Sequence, residues 1–270
     1  MSGLRNALGM LEGTSRTFYI PITRLPPQLQ EAVASGYLCM RAIDEIEDHP
    51  SLENEVKAQL LRQMSWSLQS GTNNTALART SLDWGSHHSE IPEVSLRLLE
   101  WATLAPEAIA PRIWDATAAM ANRMADWAER NWRVDTERDL DCYTFSVAGA
   151  VGLMLSDLWA WYDGTQTNRT QAVGFGRGLQ SVNILRNYRE DLQRGVSFFP
   201  QGWTMGDMQN YARRNLQLAN EYTQALPSGP ALDFCKIPLA LAHATLDVLN
   251  DGEEKLSRSA VLTLIQQITS

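Results

Sequence analysis

With 270 residues, 44% apolar and 20% charged, the chain has the make-up of a soluble globular protein and is long enough for one large domain or two small ones. A net charge of −8 argues against a nucleic-acid partner held through phosphates. Cys39, Cys142 and Cys235 are odd in number and far apart, so they read as buried thiols of a reducing compartment, not as a disulfide framework or a zinc site. The N-terminus carries no signal-peptide pattern, and the longest apolar run, residues 147–155, is too short to span a bilayer. The expected setting is the cytoplasm, without a membrane anchor.

In chain order, residues 1–13 are a weakly amphipathic start, and Ser15-Arg16-Thr17-Phe18-Tyr19 follows between Gly13 and Pro21. Pro26-Pro27 opens a helix, because proline is tolerated in a first turn. That helix runs to about Asp48 and stops before His49-Pro50. Ser51 is the expected cap of the next helix, which ends near Gly71. The polar stretch 71–90 reads as a loop, with His87 and His88 solvated in it. From Glu93 onward the periodicity predicts helices at 93–104, 107–132, 136–162, 166–194, 204–226, 231–250 and 256–269. Pro92, Pro106, Gly164, Pro200, Pro227, Pro230 and Gly252 mark the breaks. No sustained period-two alternation calls for a sheet. The expectation is therefore a single all-α domain over 1–270. Gly174-Phe-Gly176-Arg-Gly178 follows no strand and has the wrong spacing for a dinucleotide loop, so its glycines read as close helix–helix contacts.

Two polar stretches carry chemistry. In the stretch from Arg41 to Pro50, Asp44 and Asp48 lie one helical turn apart on one face, with Arg41 on the same side. Two carboxylates on a stiff support suit Mg²⁺, which keeps several waters and fills its shell with substrate phosphate oxygens. A solvated face near a helix end has the same spacing. Gln180, Asn183, Asn187 and Asp191 follow at steps of three, four and four and form a second polar stripe beside Leu179, Ile184 and Leu185. Arg186 and Glu190 are the expected i, i+4 pair on an adjacent face. Such a stripe on a buried helix needs a partner, and a metal–diphosphate complex would be one.

These stretches resemble a known family. Leu38 with Arg41–Asp48 looks like the first aspartate-rich motif of the squalene and phytoene synthases. Asn183-Ile-Leu-Arg-Asn-Tyr-Arg-Glu-Asp191, with Gly195 and Phe198-Phe-Pro200, looks like the second. Ser15-Arg16-Thr17-Phe18 matches the N-terminal diphosphate-binding segment. Tyr143 with Val147-Ala-Gly-Ala-Val-Gly152, and Phe234-Cys-Lys-Ile-Pro238 through Ala244-Thr-Leu246, match the helices between and after the motifs. The match runs in order over about residues 14–260 and is closer to the squalene synthase branch. The resemblance implies an all-α isoprenoid synthase fold around a central cavity, with Mg²⁺ as cofactor and a prenyl diphosphate as substrate. By residue, it implies Asp44, Asp48 and Asp191 as metal ligands and catalytic groups, with Asn187 and Glu190 also in metal-ligand positions. It puts Arg16, Arg41 and Arg186 on the diphosphate, Gln180, Asn183 and Asn187 among the substrate-binding groups, and Tyr143 at the reacting centre. Gly149 and Gly152 are expected to leave room for the prenyl chain.

The chain departs from the family at three places. Asn187 stands where the second motif begins with aspartate, Val196 stands where an arginine helps hold a second diphosphate, and Ser257 interrupts the basic cluster near Lys255 associated with the nicotinamide cofactor. Arg189 and Arg194 are near but at shifted positions. One prenyl diphosphate is thus better provided for than two. The expectation drawn from this is a prenyltransferase moving a prenyl group, dimethylallyl by preference, onto a small aromatic acceptor such as a carbazole, as a squalene-synthase-like branch does in natural-product biosynthesis. Trp114, Trp127 and Trp132 are candidates to stack on the acceptor, with core packing as their other reading. The alternatives are head-to-head condensation of two farnesyl diphosphates to squalene, dehydrosqualene or presqualene diphosphate, a terpene cyclase, and a catalytically silent assembly partner.

Overall fold

The chain divides into two compact units, one up to Asn131 and the other from Trp132 onward. This computed structural model describes residues 2–71, 73–252 and 255–269, and among them there are helices and no strands, as the periodicity predicts.

The first unit holds α1 (Ser2–Thr14), α2 (Arg16–Thr23), α3 (Pro27–Glu47), α4 (Asn54–Gln69), α5 (Asn74–Leu77), α6 (Glu93–Leu96), α7 (Leu98–Ala102) and α8 (Ala110–Glu129). Helix α3 is its axis. Pro27 occupies the first turn, where no intrahelical N–H is needed, and Leu29, Val33, Leu38, Ile43 and Ile46 are buried along it. Helices α1, α4, α6, α7 and α8 pack on α3. Two hydrogen bonds lock it sideways: Ser95 Oγ donates to Ala42 O at 2.7 Å, and the Cys39 thiol donates to Leu98 O at 3.8 Å. Buried indoles are tied to backbone in the same way, Trp101 Nε1 donating to Val94 O and Trp114 Nε1 to Ala102 O.

Local expectations fail here in three places. Ser51 does not cap α4; Glu53 precedes that helix, and the Ser51 hydroxyl donates to Glu90 Oε2. The expected loop 71–90 contains α5 and a single 3₁₀ turn at Gly85–His87. The helix expected at 93–104 is two, because Arg97 leaves helical geometry at φ −100°, ψ 16°. Of the two readings open for Trp114, Trp127 and Trp132, core packing holds: they are 2%, 4% and 6% exposed.

The second unit holds α9 (Glu137–Thr144), α10 (Ala150–Asp163), α11 (Arg169–Gln193), α12 (Met205–Ala225), α13 (Pro230–Asn250) and α14 (Arg258–Thr269). A turn of π-helix, Phe145–Gly149, joins α9 to α10 without a break. Thr136 with Asp139 and Thr204 with Asp207 form capping boxes that start α9 and α12. Gly164, at φ +81°, ends α10. By length and hydropathy alone, Glu137–Asp163 could cross a membrane, but half of its apolar window is buried inside the fold.

Helix α11 is the axis of this unit, with α10, α12 and α13 packed on it. The contact with the π turn and α10 is backbone to backbone. A Cβ on Gly176 would stand 2.0 Å from Ala148 O, and one on Gly152 2.0 Å from Ala172 O. A Cβ on Gly174 would meet Leu218 Cβ at 2.4 Å. The glycines at 174, 176 and 178 are helix contacts, as expected. Gly149 and Gly152 are not room for a prenyl chain, because Val173 and Ala172 fill the space beside them. The thiols also differ from expectation: Cys39 and Cys235 are buried, but Cys142 is exposed.

Candidate active site

Tyr37, Arg41, Asp44 and Asp48 recur at helical spacing along one face of α3. Asp44, Glu45, Glu47 and Asp48 crowd its last turn, and no basic residue lies there. Carboxylates at that end meet the negative pole of the helix, which Lys57 of α4 offsets in part: its buried Nζ donates to Glu47 O at 2.7 Å. Asp44 is half-buried, and its Oδ1 is enclosed without a hydrogen-bond partner. Burial pushes its carboxyl up to about 7; Arg41 opposes the rise, and Asp48 and Glu45 add to it. Arg41 is ion-paired with Glu45, while its Nε is buried and unpartnered. The backbone N–H of Asp48 donates to Asp44 O at 2.8 Å and closes the helix.

An orphaned, desolvated carboxylate oxygen among further carboxylates is the donor set a hard divalent cation takes, so the end of α3 fits Mg²⁺. Among the described residues no group of three His, Cys, Asp or Glu forms a metal cluster. The fit is therefore to an ion completed by water and substrate oxygens. His87 and His88 sit at the 3₁₀ turn, outside any such cluster.

Tyr37 was missed in the sequence, although it stands four residues before Arg41 on the same face. Burial pushes its hydroxyl up to about 12, against the lowering effect of a hydrogen bond with the Ser15 side chain. Its ring lies 5.2 Å from that of Phe18, which docks the Ser15–Phe18 segment beside Arg41 and Asp44. Arg16 opens α2; its side chain lies outside the described residues.

The other predicted residues lie in the second unit. Tyr143 is buried in the last turn of α9 and stacks on Phe198, with ring centroids 4.3 Å apart. Along α11, Gln180, Asn187 and Asp191 are half-buried and Asn183 is exposed. Asn183 Nδ2 reaches Gln180 Oε1 at 3.5 Å. The expected Arg186–Glu190 pair does not form. Arg186 Nε donates to Asn187 Oδ1 at 3.1 Å, and Glu190 Oε1 pairs with Lys255 Nζ at 3.1 Å. Asp191 pairs with Arg194 at 3.3 Å.

A network behind Tyr143 left no local signal in the sequence. The Tyr211 hydroxyl donates to Asp141 Oδ1 at 2.7 Å and lies 3.1 Å from Thr144 Oγ1. Burial is the main cause of the rise in the Tyr211 pKa. Arg177 Nη2 donates to Asp141 O at 3.0 Å, and Ser146 Oγ donates to Cys142 O at 2.7 Å. These side chains serve the carbonyls where the backbone loosens into the π turn.

The squalene/phytoene synthase family matches residues 11–206. The chain is 30% identical to the squalene synthase of Eremothecium gossypii over 95% of its own length. It spans 64% of the length of that relative. It is 29% identical to the squalene synthase of Bos taurus, covering 100% of this chain and 70% of the other. In structure it is similar to the complex of TcSQS with the ligand E5700, at a TM-score of 0.81 and 24% identity, covering 99% of this chain and 86% of that one. A squalene synthase, HpnC from Alicyclobacillus acidocaldarius, matches at a TM-score of 0.60 and 16% identity, covering 93% of this chain and 96% of the other. Relatives named squalene synthase overturn the expected transfer to an aromatic acceptor, and with it the dimethylallyl donor and the carbazole. The burial of Trp114, Trp127 and Trp132 agrees, since it leaves them no open face for such an acceptor. With the all-helical isoprenoid synthase fold and a family match over most of its length, this chain belongs to the squalene/phytoene synthase family.

Proposed function

We propose that the chain is a prenyltransferase that joins two farnesyl diphosphates head to head, with presqualene diphosphate as the first product. The observation that carries this is its likeness to squalene synthases over almost its whole length. The enclosed, unpartnered Asp44 Oδ1 supports it, as the kind of atom that a magnesium–diphosphate complex would satisfy. Asp44 and Asp48 would hold the ion, which supplies positive charge to the departing diphosphate.

The reaction asks three things of the protein. Breaking the allylic carbon–oxygen bond sends the electron pair away with the diphosphate, and the positive charge of Arg41 favours that departure. The remaining carbocation needs dry, electron-rich surroundings. The double bond of the second molecule then supplies the pair for the new carbon–carbon bond, and loss of a proton closes the cyclopropane ring. Reduction to squalene is a separate step requiring a nicotinamide donor.

The test is product analysis. Purified protein with Mg²⁺ and farnesyl diphosphate, with and without a nicotinamide reductant, is followed by pyrophosphate release and mass spectrometry. A thirty-carbon diphosphate without reductant is the expected result. Pyrophosphate release with only fifteen-carbon products, or no release from folded protein, would overturn the reading.

A further inference from the structure

The two polar stretches differ in charge. At the end of α3, Arg41 beside Asp44 and Lys57 on Glu47 O are outnumbered by Asp44, Glu45, Glu47 and Asp48. At the end of α11 the balance is reversed. Arg186, Arg189 and Arg194, together with Lys255 reaching back to the helix, outnumber Glu190 and Asp191. The acceptor oxygens of this second stretch are engaged by cationic side chains: Asn187 Oδ1 by Arg186, Glu190 by Lys255 and Asp191 by Arg194.

Asn187 is decisive because an amide ligates a metal only through its oxygen. Here that oxygen accepts the Arg186 Nε–H at 3.1 Å. A cation bound to it would have to displace the guanidinium or lie beside it. With Oδ1 turned to Arg186, the Nδ2 group is left as a two-hydrogen donor, and Arg186 keeps its terminal nitrogens for another acceptor. Both groups present N–H to an anion.

We infer that Asn187 is a diphosphate-binding and arginine-positioning residue, not a magnesium ligand, and that the end of α11 binds the anion directly. This deepens the proposed function, on which it rests for the identity of the anion. The bond to Asn187 fixes Arg186 at Nε, so the guanidinium fork is pre-oriented and loses less freedom on binding. An aspartate at 187 would reverse the effect, by repelling the anion and offering a metal oxygen.

The test measures binding without turnover. Inorganic pyrophosphate is titrated calorimetrically in chelator, and Mn²⁺ is titrated by electron paramagnetic resonance in the presence of pyrophosphate. Wild type, Asn187→Ala, Asn187→Asp and Arg186→Gln are compared, each checked for folding by circular dichroism. Wild type is expected to bind metal-free pyrophosphate. Asn187→Ala and Arg186→Gln should each weaken it about tenfold, the usual size of one lost charge-assisted hydrogen bond. Asn187→Ala should leave the Mn²⁺ affinity and stoichiometry unchanged, and Asn187→Asp should tighten Mn²⁺ while weakening metal-free pyrophosphate. Loss of Mn²⁺ affinity or stoichiometry in Asn187→Ala, or no pyrophosphate binding by wild type without metal, would overturn the inference. Neither result would touch the synthase reading, which stands or falls on the thirty-carbon product.

Discussion

Tyr143 and Phe198 lie ring over ring, with centroids 4.3 Å apart and planes 15° from parallel, although the whole of α11 comes between them in the chain. The contact fixes the segment after α11 to the last turn of α9. Phe198→Leu should cost about 1–3 kcal/mol in a denaturant melt, the sum of a lost aromatic pair and a small cavity. It should also weaken the near-ultraviolet circular dichroism. An unchanged midpoint and spectrum would mean that the stack holds nothing in place.

Asp44 predicts opposite effects on stability and activity. Asp44→Asn removes a carboxylate whose enclosed Oδ1 has no hydrogen-bond partner, so the metal-free protein should be more stable by about 1–2 kcal/mol. Magnesium-dependent pyrophosphate release should fall to background. A variant melting lower than wild type in chelator would show that the carboxylate is compensated after all.

The same residue sets a pH dependence. The folded carboxyl keeps its proton up to about 7, while an ordinary aspartate releases it near 3.8. Between those values the folded state binds more protons than the unfolded one, so this group's contribution to stability falls as pH rises through the window. Measured in chelator at about pH 4.5 and about pH 7.5, wild type should lose stability relative to Asp44→Asn. Parallel melting curves for the two proteins would contradict the raised carboxyl.

Thiol chemistry gives a simple check on the packing. Cys39 and Cys235 are buried, and burial raises both thiols well above their ordinary range. Cys142 is exposed. A maleimide should label one thiol per native chain and three after denaturation. Tyr211→Phe, which removes the hydroxyl bonded to Asp141, should speed that single native reaction, because Cys142 rides on the same turn. Equal labelling rates would separate Tyr211 from the order of that turn.

What could be read in the sequence follows from the range of each interaction. The α3 face was legible because Arg41, Asp44 and Asp48 fall within two turns of one helix, where spacing alone fixes the side. The glycines of α11 were legible as contacts because no strand precedes them. Asp141 and Tyr211 come from different helices, and neither carries a local mark of the other. The π turn shifts the register after Tyr143 by a fraction of a turn, which a periodicity of 3.6 residues absorbs unnoticed. Arg186 turning to its immediate neighbour instead of Glu190 reflects competition from Lys255, which arrives from beyond α13. Ser257, read only as a gap in a basic cluster, accepts the Ala260 N–H and starts α14.

The enclosed Asp44 Oδ1 at the end of α3 reaches beyond chemistry. A protein that leaves a buried carboxylate oxygen without a partner is at its weakest when idle, and whatever cation occupies that turn tightens the whole unit around it by mass action. The share of chains open to proteases then follows the supply of ligand. In a cell short of it, the protein would be cleared faster; in one well supplied, the same rate of synthesis would sustain a larger standing pool.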